Sequence, residues 1–392
     1  MLSIKKASLK LIIALQTSIS FICAQENCHG AVEHPANGEL QCQSSGSDSM
    51  ECMVKCFPGF LPYPKSVTSC SMSSGWTTSP SDLKCSPSIL LLAGSGWSPL
   101  INKVSLFSLN LTCPTKSLPD MPEWNFGHTL DYVDGNIIMC GSDWDRNLYH
   151  TCYIMVENNT WEVLPYKLNK ARKLHNSAVF GSRLFMIGGS HDSSKSNTEV
   201  IDLTESVGWK SGFDLIQSVY EGCTVSLSDG RIAVLGGQVT AGDTAVSMHH
   251  GVIIYNSEDG HIQQLPHMAV PRKEFGCAAF TKNGSEFIMA TGGYSYKGCL
   301  FQSCIYIFWD TTEILEIGSD HWRAVDSVLP EKSGIFHIEN IEGKIIGLDG
   351  YGIFEFDIEK EAWTEVHKHV QDHVYANPQG MTAVPAERFG CV

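Results

Sequence analysis

Short apolar runs recur along residues 87–392, and each is closed by glycine or a stand-in for it. Ser88-Ile89-Leu90-Leu91-Leu92-Ala93-Gly94 is the first. Gly127-His128-Thr129 then leads through Asp134-Gly135 to Ile137-Ile138-Met139-Cys140-Gly141. Leu174-His175-Asn176 leads through Gly181 to Leu184-Phe185-Met186-Ile187-Gly188-Gly189. The same order returns from Gly222 to Gly236-Gly237, from Gly276 to Gly292-Gly293, and from Ile335 to Asp349-Gly350. Apolar runs of this length, bounded by turn residues, predict strands buried on both faces. The aligned small residue falls at Gly94, Gly141, Gly188, Gly236, Gly292 and Asp349, in steps of 47, 47, 48, 56 and 57 residues. Each unit predicts a four-stranded antiparallel sheet that must stack on its neighbours to cover both faces. The first unit has no leading strand. Gly380-Met381-Thr382-Ala383-Val384 matches Gly127-His128-Thr129-Leu130 and is expected to supply it, closing six units into a ring without an exposed edge.

Aromatic residues trail the glycines: Tyr153 with Trp161, Ile201 with Trp209, Tyr255, Tyr306 with a displaced Trp322, and Phe356 with Trp363. A period near 50 with Gly-Gly, an apolar aromatic strand and then Trp resembles the kelch repeat. The resemblance implies an all-β, six-bladed β-propeller over residues 87–392, with peptide-binding loops after the glycine-ended strands. Three residues past the aligned glycine stand Trp97, Trp144 and His191, and two past it Tyr294 and Tyr351. These five are the candidate binding residues.

Residues 26–86 read differently. Six cysteines fall between Cys28 and Cys85, among turn residues such as Asn37-Gly38, Pro58-Gly59 and Pro62. A segment this short buries too little apolar surface to stand without staples. Cys28, Pro35-Ala36-Asn37-Gly38, Cys56-Phe57-Pro58-Gly59-Phe60, Cys70, Gly75-Trp76 and Cys85 resemble a sushi (complement control) domain. The resemblance implies Cys28–Cys70 and Cys56–Cys85 bridges, with Trp76 in the core. Cys42 and Cys52 are extra to the pattern and suit a local hairpin bridge; six cysteines otherwise allow 15 pairings.

Composition places the chain. Lys5, Lys6 and Lys10 precede the apolar Leu11–Leu15 and Ile19–Ala24, which reads as a secretory signal peptide over residues 1–24. Its removal takes three Lys and no acid, moving the net charge from -15 to -18, and takes Cys23, leaving 14 of the 15 cysteines. An even count suits full pairing in an oxidising compartment. Sequons at Asn110, Asn158 and Asn283 agree with secretion as a glycoprotein. The acidic balance argues against nucleic acid, and no further stretch is long enough to insert in a membrane.

No catalytic constellation stands out, and no cofactor or metal site is expected. His367, His369 and His373, like His249-His250, read as polar loop residues rather than ligands. Copper oxidases of kelch fold use Tyr, Tyr and His ligands that find no match here, and the Asp boxes and arginine cluster of sialidases are absent. The remaining cysteines suit bridges: Cys140 with Cys152 across strands, Cys299 with Cys304 in a local loop, Cys223 with Cys277 between neighbouring units, and Cys113 with Cys391, among 105 possible pairings. The expected function is noncatalytic recognition of an extracellular protein or glycan. The rival class is a secreted enzyme, oxidase- or glycosidase-like, with its site on the propeller face.

Overall fold

The computed structural model describes residues 34–45, 49–71, 73–94, 96–97, 100–113, 118–122, 127–141, 149–190, 197–205, 207–241, 245–248, 251–300, 303–329, 337–341, 344–349, 352–368 and 378–392. These residues are all-β apart from two short 3-10 turns, and their sheets are antiparallel. The cysteine-rich segment holds β1 (Gly38–Ser44), β2 (Ser49–Cys56), β3 (Phe60–Tyr63), β4 (Val67–Ser71) and β5 (Gly75–Trp76). β1, β2, β4 and β5 form one sheet around Leu40, Val54 and Leu83, with Trp76 packed against them.

β6 (Lys84–Gly94) runs on without a break, so the boundary expected at 86/87 falls inside a strand. Its first residues pair with β3 and its later ones with β9 (Val104–Phe107); β7 (Gly96–Trp97) and β8 (Leu100–Ile101) form a hairpin between. Four-stranded sheets follow. One contains β10 (Thr129–Val133), β11 (Asn136–Cys140), β12 (Cys152–Met155) and β13 (Trp161–Val163). The next contains β14 (Asn176–Phe180), β15 (Arg183–Ile187), β16 (Asn197–Asp202) and β17 (Lys210–Asp214). β18 (Cys223–Ser226), β19 (Arg231–Leu235), β22 (Val252–Asn256) and β23 (Ile262–Leu265) form another, with the hairpin β20 (Gln238–Ala241)–β21 (Ala245–Met248) between its second and third strands. β24 (Gly276–Lys282), β25 (Ser285–Thr291), β28 (Thr312–Glu316) and β29 (Arg323–Ala324) follow the same plan around the hairpin β26 (Tyr294–Leu300)–β27 (Ser303–Phe308). β30 (His337–Ile341), β31 (Lys344–Leu348), β32 (Gly352–Asp357) and β33 (Ala362–Lys368) make the last full sheet. β34 (Pro378–Pro385) turns back to pair with β6 from Ser88 to Gly94.

Burial explains the strand sequences. The second strand of each sheet sends alternate residues into two apolar layers. Ile137 and Met139 meet Leu91 and Ala93, while Ile138 and Cys140 meet Leu184 and Met186. Phe185 and Ile187 meet Ile232 and Val234; Ala233 and Leu235 meet Ile288 and Ala290. Met289 meets Ile345, and Ile346 with Leu348 meets Leu90 and Leu92. Both faces being covered, these strands are apolar throughout rather than alternating. Fourth strands such as β17 and β29 are largely exposed. The first strands lie side by side in the order β10, β14, β18, β24, β30, β34 and back to β10.

The closing glycines serve close approach. Gly188 has φ 65°, and a Cβ there would stand 2.1 Å from the Val219 carbonyl oxygen; at Gly236, φ 53°, it would stand 2.7 Å from that of Arg272. The close approach excludes a side chain at either, and the backbone angle disfavours one. Two of these junctions are clamped by buried arginine. Arg172 donates from Nη1 to the Gly188 carbonyl and from Nη2 to Glu199 at 2.8 Å; Arg272 donates to the Gly292 carbonyl and, through Nε, to Glu313 at 3.0 Å.

Five disulfides are present among the described residues: Cys42–Cys52, Cys56–Cys85, Cys113–Cys391, Cys140–Cys152 and Cys223–Cys277. Cys70 is bonded as well, but Cys28 lies outside the described residues. Cys299 and Cys304 face each other across β26–β27, and their side chains lie outside them too. Tyr306 departs from expectation: it stands on β27 of the hairpin, and the third strand of that sheet is β28, where Leu315 faces the core. Asn110, Asn158 and Asn283 are exposed.

Candidate functional site

Where the first strands begin, the backbone is drawn into a chain of hydrogen bonds. Leu174 N donates to Gly127 O at 3.1 Å, Glu221 N to Leu174 O at 3.0 Å, and Glu274 N to Glu221 O at 3.0 Å. All four residues have left-handed φ, of 70°, 53°, 53° and 50° in chain order. Three of them are not glycine, so strain of about 1 kcal/mol or more per residue is held at this rim. Inside the rim lies an open cavity of ≈ 220 Å³. The beginnings of all six first strands reach it, with Leu130, Ser177, Thr224, Phe275, His337 and Met381 on its wall.

Two carboxylates mark one side of the rim. Lys273 Nζ donates to Glu221 at 2.5 Å and lies 3.5 Å from Glu274. Gln238 also donates to Glu221, and the Tyr220 hydroxyl donates to Gln238 at 3.3 Å. Burial alone would pull the Lys273 ammonium down, but Glu221 and the neighbouring tyrosine hydroxyls outweigh it and hold it above its ordinary range. Glu274 is pushed up by burial and then by the charge of Glu221.

Tyr294 is fixed to this cluster. Its backbone pairs with that of Lys273, its hydroxyl donates to Glu274 at 2.7 Å, and Lys273 Nζ stands 4.8 Å from its ring centre. Burial and then Glu274 raise the Tyr294 phenol, so it stays protonated and a donor. From Tyr294 an aromatic sheet face extends along the hairpin. Its ring centre lies 5.5 Å from that of Tyr306 and 5.6 Å from that of Phe308, and Tyr296 lies 5.2 Å from Tyr306. Tyr306 is 48% exposed, Phe308 43% and Ile305 62%. Isolated exposed apolar residues are ordinary, but these rings are contiguous and are joined through Tyr294 to the cavity rim.

Of the buried histidines of the wall, His128 and His175, the second is electrostatically inert. Burial, then the charge of Arg172, push His175 down to about 3, so it is neutral at any physiological pH. No group of three or more His, Cys, Asp or Glu side chains able to hold a metal ion occurs among the described residues.

Of the five candidate binding residues, Tyr294 alone has a described side chain. Trp144, His191 and Tyr351 lie outside the described residues, as do His249, His250, His369 and His373; Trp97 lies on β7 and His367 on β33, with undescribed side chains. Glu221, Glu274, Lys273 and Phe308 were not singled out by sequence reasoning, and Tyr306 was named only as an aromatic of the repeat. The signal available was local. Tyr294-Ser295-Tyr296 and Ile305-Tyr306-Ile307-Phe308 alternate as strands do, and Arg172-Lys173 recurs as Arg272-Lys273 one step before the rim. No known family model matches the chain, and comparison with curated proteins likewise gives no match.

Proposed function

We propose that the chain is a secreted, disulfide-bonded recognition protein without catalytic activity. In this reading a sushi-like segment is joined to a six-bladed, kelch-like propeller that binds an extracellular protein or glycan. The cyclic order of the first strands, and the six apolar layers between successive sheets, support the propeller. The bridges support an oxidising compartment. No helix among the described residues is long and apolar enough to cross a membrane. The observation that carries the functional reading is the exposed aromatic hairpin fixed to the cavity rim through Tyr294 and Glu274. Aromatic rings at the centre of an interface are its usual anchors.

The test is a binding screen of the whole secreted chain against extracellular proteins and glycans, repeated with Tyr306→Ala/Phe308→Ala. The double variant is expected to weaken binding at least about tenfold with the melting temperature unchanged. Full retention of every interaction found would overturn the assignment of this face.

A further inference from the structure

The cavity inside the rim is small, and its lining mixes polar and apolar residues. We infer that it seats one uncharged sugar ring, the terminal residue of a glycan whose next residues lie on the aromatic hairpin. This rests on the recognition reading above and names the ligand class for the same face.

Size is the first argument. A cavity of ≈ 220 Å³ is below the usual range for drug-sized ligands, roughly 300–1,000 Å³, and suits one compact ring rather than a folded peptide segment.

Hydrogen-bonding capacity is the second. Asn176 lines the cavity at 9% exposure, and its amide Nδ2 has no partner. A buried donor left unpaired costs about 1–3 kcal/mol, which a ligand oxygen would recover. Opposite chemistry comes from Glu221 and Glu274: an ionised carboxylate can accept about four hydrogen bonds, and Glu274 spends one oxygen on Tyr294. Thr224 lines the cavity and donates its hydroxyl proton to the Ser177 carbonyl, which leaves its oxygen only an acceptor's role. Hydroxyl groups of a sugar both donate and accept, and they satisfy such a mixed set. Leu174 and Phe275 supply apolar wall for the C–H face of the ring.

Charge is the third argument, and it selects against ions. Lys273 already stands between the two carboxylates and offsets one of their two charges, so a second cation would find only one left and would face the Lys273 ammonium itself. An anion would meet Glu221 and Glu274 within a chain of net charge -15. Burial and the charge of Glu221 both push Glu274 up, so further negative charge is disfavoured beside it. An uncharged polyol is the class that suffers neither penalty. Beyond the rim, Tyr306 and Phe308 present ring faces of the kind on which sugar C–H groups stack.

The experiment uses the whole secreted chain on a glycan array, followed by titration with free neutral monosaccharides, with sialic acid and with an oligolysine peptide. Binding of neutral glycans, competed by the free monosaccharide, is expected. Glu274→Gln should weaken both about tenfold or more, with an unchanged melting temperature. Tyr306→Ala, an exposed position, should weaken the oligosaccharide but not the monosaccharide, which separates cavity from platform even if Glu274→Gln fails to fold. Sialic acid or oligolysine binding that Glu274→Gln abolishes, in place of neutral sugar, would overturn the inference. So would a protein ligand on the hairpin that no sugar displaces, and in that case the recognition reading stands. If neither a protein nor a glycan binds this face, the recognition reading itself fails and the sugar site with it.

Discussion

Asp134 occupies a left-handed turn position, φ 44°, between β10 and β11, and its carboxylate reaches out of its own sheet. Oδ1 accepts from Ser66 N at 2.9 Å, Ser66 Oγ at 3.0 Å and Val67 N at 3.3 Å, all in the cysteine-rich segment and all buried. Removing it strands two backbone donors. Asp134→Ala is expected to cost about 2–4 kcal/mol, read as a lower urea midpoint at unchanged slope, with Asp134→Asn intermediate. Residues of this kind were invisible in the sequence, where Asp134-Gly135 reads only as a turn. Tyr294 shows the converse. Its place two residues past Gly292 was legible from the repeat, but its half-buried ring and committed hydroxyl make it a frame for the hairpin. The exposed anchors are Tyr306 and Phe308, and Tyr306 was expected on a core strand because an aromatic belongs there in the neighbouring units.

At the scale of elements, the repeat period carried more than the strand order. The steps of 56 and 57 residues belong to units in which β20–β21 and β26–β27 stand between the second and third strands; among the described residues of the shorter units the one such hairpin is the short β7–β8. The buried second strands were legible because both of their faces are covered and their apolar runs are continuous. The rim was not, since Leu174, Glu221 and Glu274 adopt backbone angles that glycine ordinarily announces. The hairpin β26–β27 pairs only with itself apart from the bridge at Lys273 and Tyr294. Replacing residues 296–306 by a short Gly-containing turn should therefore leave the melting temperature within a few degrees of the parent while removing ligand binding. A large fall in melting temperature would assign the hairpin to the core.

Across the whole molecule, the C-terminus is bound twice to the beginning of the first sheet. β34 pairs along β6, and Cys391 is bonded to Cys113 across 278 residues of chain. Loop closure on that scale lies at the upper end of disulfide stabilisation, about 5 kcal/mol. On the first strands β10 and β30, two carboxyls respond to pH. Burial pushes Asp131 up to about 7, against hydrogen bonds from Ser177 and Thr129. Burial, with a smaller contribution from Asp131, pushes Glu339 up to about 8. In the unfolded chain both ionise near pH 4. Between about pH 4 and 7 the unfolded chain therefore loses protons that the folded one keeps, and stability falls as pH rises, on the order of 1.4 kcal/mol per pH unit for each group. His175, held down to about 3, opposes this up to its unfolded value near 6.5 but is outweighed by the two carboxyls, while Glu361 and Asp357, held low by Arg323 and Lys360, oppose it only below the window. The melting temperature is expected to be higher at pH 5 than at pH 8, and Asp131→Asn should flatten the profile. An unchanged profile in the variant would mean that Asp131 is ionised in the fold.

The cysteine-rich segment meets the larger assembly at the turns on the far ends of the first strands. Asp134-Gly135 lies against residues 64–67, and Met53 lies over Gly181. The cavity opens at the other ends of the same strands, roughly 17 Å away along a five-residue strand. β6 passes from one part to the other as a single strand, and the cavity lies at the opposite ends of the first strands. Anything that grips the segment therefore aims the cavity away from itself. Molecules anchored through that segment on a common surface would all turn their rims outward, and their joint hold on a branched or repeated ligand would not be diluted by the slack of a flexible tether.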